Sequence, residues 1–268
     1  MRKPKKTFEI DAEWCELKEL RTTRRAAISQ YPSVSVLIAT ARPSDLSAIL
    51  RQVHQQSLDS FELLIGLHNF ALSSDQCDQI VKLEERAIRV SMQNFAADHT
   101  LGTILSTLAK SSTGDLIAKM DDDDIYGPEH LKDLLDSLLA NKADAVGKAM
   151  NYVYLEALDV TVRRAGEGGT SAVELWADWV CGGTILVKRD LAEKGGWFGE
   201  GKSAVDRFLL NGVMKNGGRI WRTFGTGYVY RRRPTSHTYV TNYSKYLKSA
   251  RDQRVGIWID PEFGTDLQ

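Results

Sequence analysis

Cysteine is scarce in this chain: three residues, Cys15, Cys77 and Cys181, lie far apart in 268 positions. An odd number without CxxC spacing excludes a disulfide framework and a paired-cysteine zinc site, and it fits a reducing, intracellular compartment. Neither sign of charge is in excess, with 35 basic against 35 acidic residues, so no global field draws the protein to nucleic acid or a membrane surface. No apolar run approaches the roughly 18 residues needed to span a bilayer. The basic opening, MRKPKKTFEIDAEWCELKELRTTRR, has no apolar core behind it and so does not read as a secretory signal. Residues 1–31 are expected to form a solvated basic extension with one short amphipathic helix, whose charge would suit a membrane surface or an acceptor.

What remains is ordinary globular composition, 43% hydrophobic and 26% charged, in a chain long enough for one large domain. SVSVLIAT is a continuous apolar, β-branched run, the pattern of a strand buried on both faces. PSDLSAILRQVHQQS follows, with Leu46, Ile49, Leu50 and Val53 at helical spacing and Ser44 placed to cap it. FELLIGLH, AIRVSM and DLIAKM read as three further strands. The helices SSDQCDQIVKLEER and HTLGTILSTLAKSS separate them, the latter closed by Gly114. Such alternation predicts βαβ units, a mostly parallel sheet and right-handed crossovers. The second half is less regular and is expected to complete the same α/β domain over residues 32–240, with 241–268 as a tail. ADAVGKAMNYVYLEALDVTVRR looks like long strands or a hairpin, and AVDRFLLNGVMKNGG like a helix.

Four consecutive carboxylates, residues 121–124, follow the fourth strand, and Pro128 then opens the helix PEHLKDLLDSLLANK. In an extended segment alternate side chains share a face, pairing Asp121 with Asp123 and Asp122 with Asp124. Two such carboxylates repel unless a cation lies between them. Mg²⁺ and Mn²⁺ suit one or two protein carboxylates with substrate phosphates completing the shell. A solvated acidic turn is the alternative, but ligands of parallel sheets bind beyond the C-terminal strand ends, where this run stands.

The series VSVLIATARPSDLSAILRQVHQQS, FELLIGLHN, SSTGDLIAKMDDDDIYGPEHL, CGGTILVKRDLAEKGGW and AVDRFLLNGVMKNGGRI resembles the inverting family 2 glycosyltransferases of the GT-A fold. The resemblance covers residues 33–239. Its most specific element is GDLIAKMDDDDIYGP, which follows the family's Gly-(Asp/Glu)-x5-Asp-x-Asp-Asp-x3-Pro pattern.

The resemblance implies a nucleotide-sugar donor, UDP-linked by default, and Mn²⁺ or Mg²⁺. Asp121 and Asp123 fall on the DxD positions: Asp123 as main metal ligand, Asp121 also on the metal, and Asp121 or Asp122 on the ribose or sugar. Thr40 and Arg42 would contact the nucleotide. Asp206 falls on the aspartate of the family's Glu-Asp pair, the general base, although Val205 replaces the glutamate. His237 resembles a C-terminal metal ligand, and Arg233 with its two neighbouring arginines would reach the diphosphate. Trp179, Gly182 and Gly183 would face the acceptor, the tryptophan by stacking and the glycines by permitting close approach.

For each of these residues a structural role competes: a core tryptophan, a solvated basic turn, a helix-start aspartate favoured by the dipole. Lys119, just ahead of the acidic run, is expected to pair with it. The implied reaction is sugar transfer to a saccharide or glycolipid acceptor in surface polysaccharide assembly, in the cytoplasm or at the inner membrane face. The alternatives are the same donor chemistry on a DNA base, protein or metabolite, a nucleotidyltransferase, or a non-catalytic binding module. ATARPSD has no glycine, which counts against the nucleotidyltransferase.

Overall fold

The computed structural model describes residues 9–234 and 242–259. Helix α1 (Ile10–Ala26) precedes an alternating run: β1 (Val34–Thr40), α2 (Pro43–His54), β2 (Glu62–His68), α3 (Ser74–Glu85), β3 (Arg89–Phe95), α4 (Leu101–Ser111) and β4 (Leu116–Lys119). Then come β5 (Ile125–Tyr126), α5 (His130–Asn141), β6 (Ala145–Lys148), β7 (Tyr152–Leu155), β8 (Val160–Arg163) and β9 (Leu175–Trp176). The chain continues with β10 (Leu186–Lys188), α6 (Arg189–Lys194), α7 (Val205–Lys215), β11 (Ile220–Thr223), β12 (Tyr228–Arg232), α8 (Ser244–Lys248) and β13 (Asp252–Val255). Among the described residues no helix is long and apolar enough to cross a membrane.

The main sheet has the order β3-β2-β1-β4-β10-β6-β11-β9. All its strands run parallel except β10 and β9. This is the mostly parallel GT-A sheet that the resemblance implies. Period-2 alternation divides its side chains between two layers. Val36 and Ile38 of β1 pack with α2, α3 and α5, whereas Leu37 faces the opposite side, with α4 and α7. A second sheet, β13-β8-β7-β12-β5, hangs on the C-terminal half.

Several local expectations shift. Helix α2 has Pro43 at its first position and Arg42, not Ser44, as N-cap. Helix α4 ends at Ser111 with Ser112 as its C-cap, and Gly114 instead lies so close to Ser35 that a Cβ there would meet its backbone nitrogen at 2.7 Å. The segment after residue 241 contributes to the fold, because β13 pairs with β8.

The N-terminal helix is also no solvated arm. Arg21 makes a two-toothed ion pair to Asp133 of α5, both contacts 2.7 Å, and Arg25 reaches Asp136 at 2.8 Å and Glu129 at 2.7 Å. Glu13 pairs with Arg163 of β8, and Leu17 is buried. Asp133 also faces the buried Lys148 at 3.2 Å. Burial opposes the Asp133 charge, but Lys148 and Arg21 outweigh it and hold its pKa below the ordinary value. Its contribution is therefore present above about pH 4 and lost as pH falls through the depressed native value. Asp133→Asn, which removes the carboxylate from the buried Lys148 and the partly buried Arg21, is expected to destabilise the fold by about 3–5 kcal/mol. Urea unfolding at pH 7 checks this, and a loss under about 1 kcal/mol, the worth of an exposed pair, would refute it.

Candidate active site

The parallel strands present their C-terminal ends at one edge, where ligands of open α/β sheets bind. Strand β1 ends there in Thr40 and β4 in Lys119. Strand β10 runs antiparallel to β4, so its leading turn, Gly182–Thr184, comes to the same edge. Helix α7 opens beside it, carrying Asp206 in its first turn, where the helix dipole favours an anion. Ala204, just before α7, has φ +59°, a left-handed conformation that a non-glycine residue holds only under constraint from its surroundings.

Residues 121–124 form a turn rather than the expected extended run. Each aspartate nevertheless has its own direction. Asp121 receives Lys119 Nζ at 2.6 Å, while its backbone N–H donates to the Tyr126 hydroxyl at 2.7 Å. Asp122 is buried on Thr40 and Arg42. Asp123 lies 3.1 Å from Arg42. Asp124 is buried under the Tyr228 hydroxyl at 2.6 Å and the Arg231 backbone N–H at 2.9 Å. Asp121 and Asp123 thus share one cleft, while Asp122 and Asp124 point to different anchors.

Lys119 joins the run to Asp206. Its Nζ lies 3.0 Å from Asp206 Oδ1 as well as against Asp121. Burial opposes this ammonium, but the two carboxylates outweigh it and raise its pKa, so it stays charged. The two glycines make the approach possible. A Cβ at Gly182 would lie 2.1 Å from Asp206 Oδ2, and one at Gly183 would lie 2.9 Å from both Asp121 Oδ2 and Asp124 Oδ2. What comes close to these glycines is the chain's own carboxylates.

The cations present do not neutralise the cluster. Burial, then repulsion from Asp121, pushes Asp123 up to about 6 despite Arg42. Burial also raises Asp122 against the pull of Arg42, and raises Asp124 well above its ordinary value with the charges of Asp123 and Asp121 adding to it. Asp206 is raised by burial against Lys119.

No three His, Cys, Asp or Glu side chains converge as a preformed metal cluster among the described residues. The donor set still fits a hard cation. Two carboxylates, Asp121 and Asp123, face one cleft, and Mg²⁺ or Mn²⁺ commonly takes one or two carboxylates and completes its shell from substrate phosphates.

The cleft, of about 350 Å³, is lined by Arg42, Asp121, Asp123, Trp179, Asp206 and Arg232 among others. A larger hollow of about 890 Å³ lies at the other, N-terminal end of the strands. There Glu62 is already occupied by Ser35, Arg89 and Thr113, whereas the smaller cleft stands at the strand ends where ligands of such sheets bind.

Of the residues singled out in the sequence, Thr40, Arg42, Trp179, Gly182, Gly183, Asp206 and the acidic run come together. Arg233 instead grips Asp45 of α2 with contacts of 2.7 and 2.8 Å, and Arg231 pairs with Glu156, leaving Arg232 as the arginine of the triplet that lines the cleft. His237 lies outside the described residues. Sequence reading missed the Lys119–Asp206 link and the supports Tyr126 and Tyr228. Period-2 alternation between Lys119 and Asp121 signals half of the first. The tyrosines meet through β5–β12 pairing across about a hundred residues, which leaves no local trace.

The Glycosyl transferase family 2 model matches residues 36–194, more than half of the chain. Comparison with curated protein sequences finds no match. Among solved structures, S. aureus TarS (residues 1–349) in complex with UDP-GlcNAc aligns with TM-score 0.60 and 18% identity, over 81% of this chain and 64% of that one. The chain therefore spans under two thirds of that TarS structure. A mannosyltransferase from Pyrobaculum calidifontis, in complex with GDP-Man and Mn²⁺, aligns with TM-score 0.58 and 14% identity over 85% and 67% of the two chains. GalNAc-T7 with UDP, GalNAc and Mn²⁺ aligns with TM-score 0.58 and 12% identity over 77% and 45%. At these identities the neighbours show a shared fold. With the family match across the acidic run and the glycine turn, the chain belongs to glycosyl transferase family 2.

Proposed function

We propose that this chain transfers a sugar from a nucleoside-diphosphate donor to an acceptor hydroxyl with inversion, using Asp206 as the base. The observation that carries the reading is Asp206 on the wall of the cleft that Asp121 and Asp123 also line, tied to Asp121 through Lys119. In the reaction the acceptor oxygen bonds to the anomeric carbon as the bond from that carbon to the phosphate oxygen breaks. The diphosphate leaves with the electron pair, and the hydroxyl proton passes to Asp206. A carboxylate held on the acceptor side contributes ~10²–10⁴-fold in this role. Lys119 favours the anionic form of that carboxylate against the burial that raises its pKa, and orients it. Thr40, Arg42 and Asp122 form one bonded unit at the end of β1, where the nucleotide would lie. Arg232, which lines the cleft, is the triplet residue proposed to meet the diphosphate, with Arg233 near enough to act on Asp123.

Asp121 and Asp123 would hold Mn²⁺ or Mg²⁺, which when bound neutralises negative charge on the departing diphosphate. The structural neighbours are complexes with UDP, UDP-GlcNAc or GDP-Man, two of them with Mn²⁺, and for this chain UDP-sugar is the proposed donor. The proposed acceptor is a saccharide or glycolipid in surface polysaccharide assembly at the cytoplasmic face.

Three outcomes test the reading. Asp206→Asn is expected to reduce transfer by ~10²–10⁴-fold while the Kd for UDP stays unchanged; unaltered turnover removes the base. Titration with UDP should show tighter binding when Mn²⁺ is present, and Asp123→Ala should abolish that gain. An equal gain in the variant removes the metal role. Gly182→Ala, whose methyl would collide with Asp206, is expected to lower kcat on the order of 10²-fold in a protein of unchanged circular dichroism. A kcat at the parent level would show that the carboxylate need not be held there.

A further inference from the structure

A second hollow, of about 520 Å³, adjoins the cleft, and Met150, Trp179 and Arg207 line both. Its charged lining is one-sided: Arg164, Arg207, Arg222 and Lys245 stand against Asp178 alone, in a chain whose formal charge balances. Two of these cations are buried, Arg164 at 8% and Arg222 at 6% exposure.

Their partners are all neutral. Arg164 donates to Ser249 Oγ at 2.6 Å, Thr170 Oγ1 at 3.2 Å and the Met150 carbonyl at 3.3 Å. Arg222 donates to the carbonyls of Ala172 at 2.7 Å, Gly169 at 2.8 Å and Trp179 at 3.3 Å. The adjacent buried arginine, Arg163, is by contrast paired with Glu13 and Asp252. Burial lowers the pKa of both Arg164 and Arg222, and at Arg222 the nearby Asp178 offsets it only in part, although a guanidinium remains charged. A buried cation with no carboxylate in hydrogen-bond contact is a liability that an arriving anion would relieve. Guanidinium forks fit phosphate and carboxylate geometry.

We propose that this hollow is the acceptor subsite and that the acceptor saccharide carries an anionic group, phosphate or carboxylate, which docks between Arg164 and Arg222 with Arg207 and Lys245 at the rim. Trp179 supplies the shared wall, so a sugar ring laid against it spans from the anion pocket to the cleft that holds Asp206. The inference rests on the transferase reading and narrows its acceptor class. The competing role for Arg222 is mechanical, pinning the carbonyls of Gly169 and Ala172. That role alone would leave the choice between charged and neutral acceptors untouched.

The test is calorimetric titration of the full chain, saturated with UDP and Mn²⁺, with methyl α-glucopyranoside, its 6-phosphate and the matching methyl glucuronoside. The phosphate arm and the carboxylate arm distinguish the two anion sources. At least one charged probe is expected to bind tenfold or more tightly than the neutral glycoside, with an advantage that shrinks as salt rises. The Arg207→Gln/Lys245→Gln double variant, both of whose changes lie at the rim, should lose most of that advantage, and Arg222→Gln should abolish it. Equal binding of the neutral probe, no measurable binding of either charged probe, displacement of the charged probe by raised UDP, or an advantage preserved in both variants would each overturn the proposal. The Kd for UDP on the same samples separates the two readings. UDP binding with charge-blind acceptor binding sinks the subsite alone, whereas failure to bind UDP sinks the transferase reading and the subsite with it.

Discussion

One buried ammonium organises the site. Two unit charges 4 Å apart repel by about 4 kcal/mol at a surface-like effective dielectric, so the acidic turn and Asp206 cannot meet without a cation between them. Lys119 provides it, reaching Asp121 at 2.6 Å and Asp206 at 3.0 Å from the end of a strand buried on both faces. The supporting parts follow from that contact. A glycine pair must leave room for the carboxylates, the Tyr126 hydroxyl must brace the Asp121 backbone while donating to the Gly183 carbonyl, and α7 must begin where its first turn meets the turn before β10. Burial and mutual repulsion still raise both Asp123 and Asp124.

The reversed strand β10 explains how residues sixty and eighty positions beyond the acidic run reach it. Lying between β4 and β6 and antiparallel to both, it returns its leading turn to the edge where the parallel strands end. The donor-side features, Thr40, Arg42 and the acidic turn, come from the regular half of the sheet. The Trp179 wall and the hollow behind it come from the irregular half. A single strand against the grain is the seam between the two.

Much of this was legible in the residues. Continuous apolar runs separated by 3.6-periodic segments marked the parallel half, and the crowding of residues 121–124 beyond a buried strand marked the ligand edge. Side-chain alternation placed Asp121 and Asp123 together even though the backbone turns instead of extending. The unread parts depend on long-range partners. Arg232 and Arg233 are neighbours of identical chemistry, yet Asp45, nearly two hundred positions away, draws Arg233 aside. Ser44 yielded its capping place to Arg42 because Pro43 suits the first helical position. Helix α1 looked like a free basic arm because its partners, Asp133, Asp136 and Glu174, are scattered through the later sequence.

That helix separates a homology boundary from a folding boundary. The matched span begins at residue 36, yet α1 supplies the guanidiniums that face Asp133 and Asp136, the carboxylate that faces Arg163, and a hydrogen bond from Thr226 to Glu13 at 2.8 Å. A chain that began where the family match begins, at residue 36, would retain every side chain lining the cleft while exposing a row of orphaned charges along its back. In this protein the span that similarity delineates is smaller than the unit that electrostatics holds together.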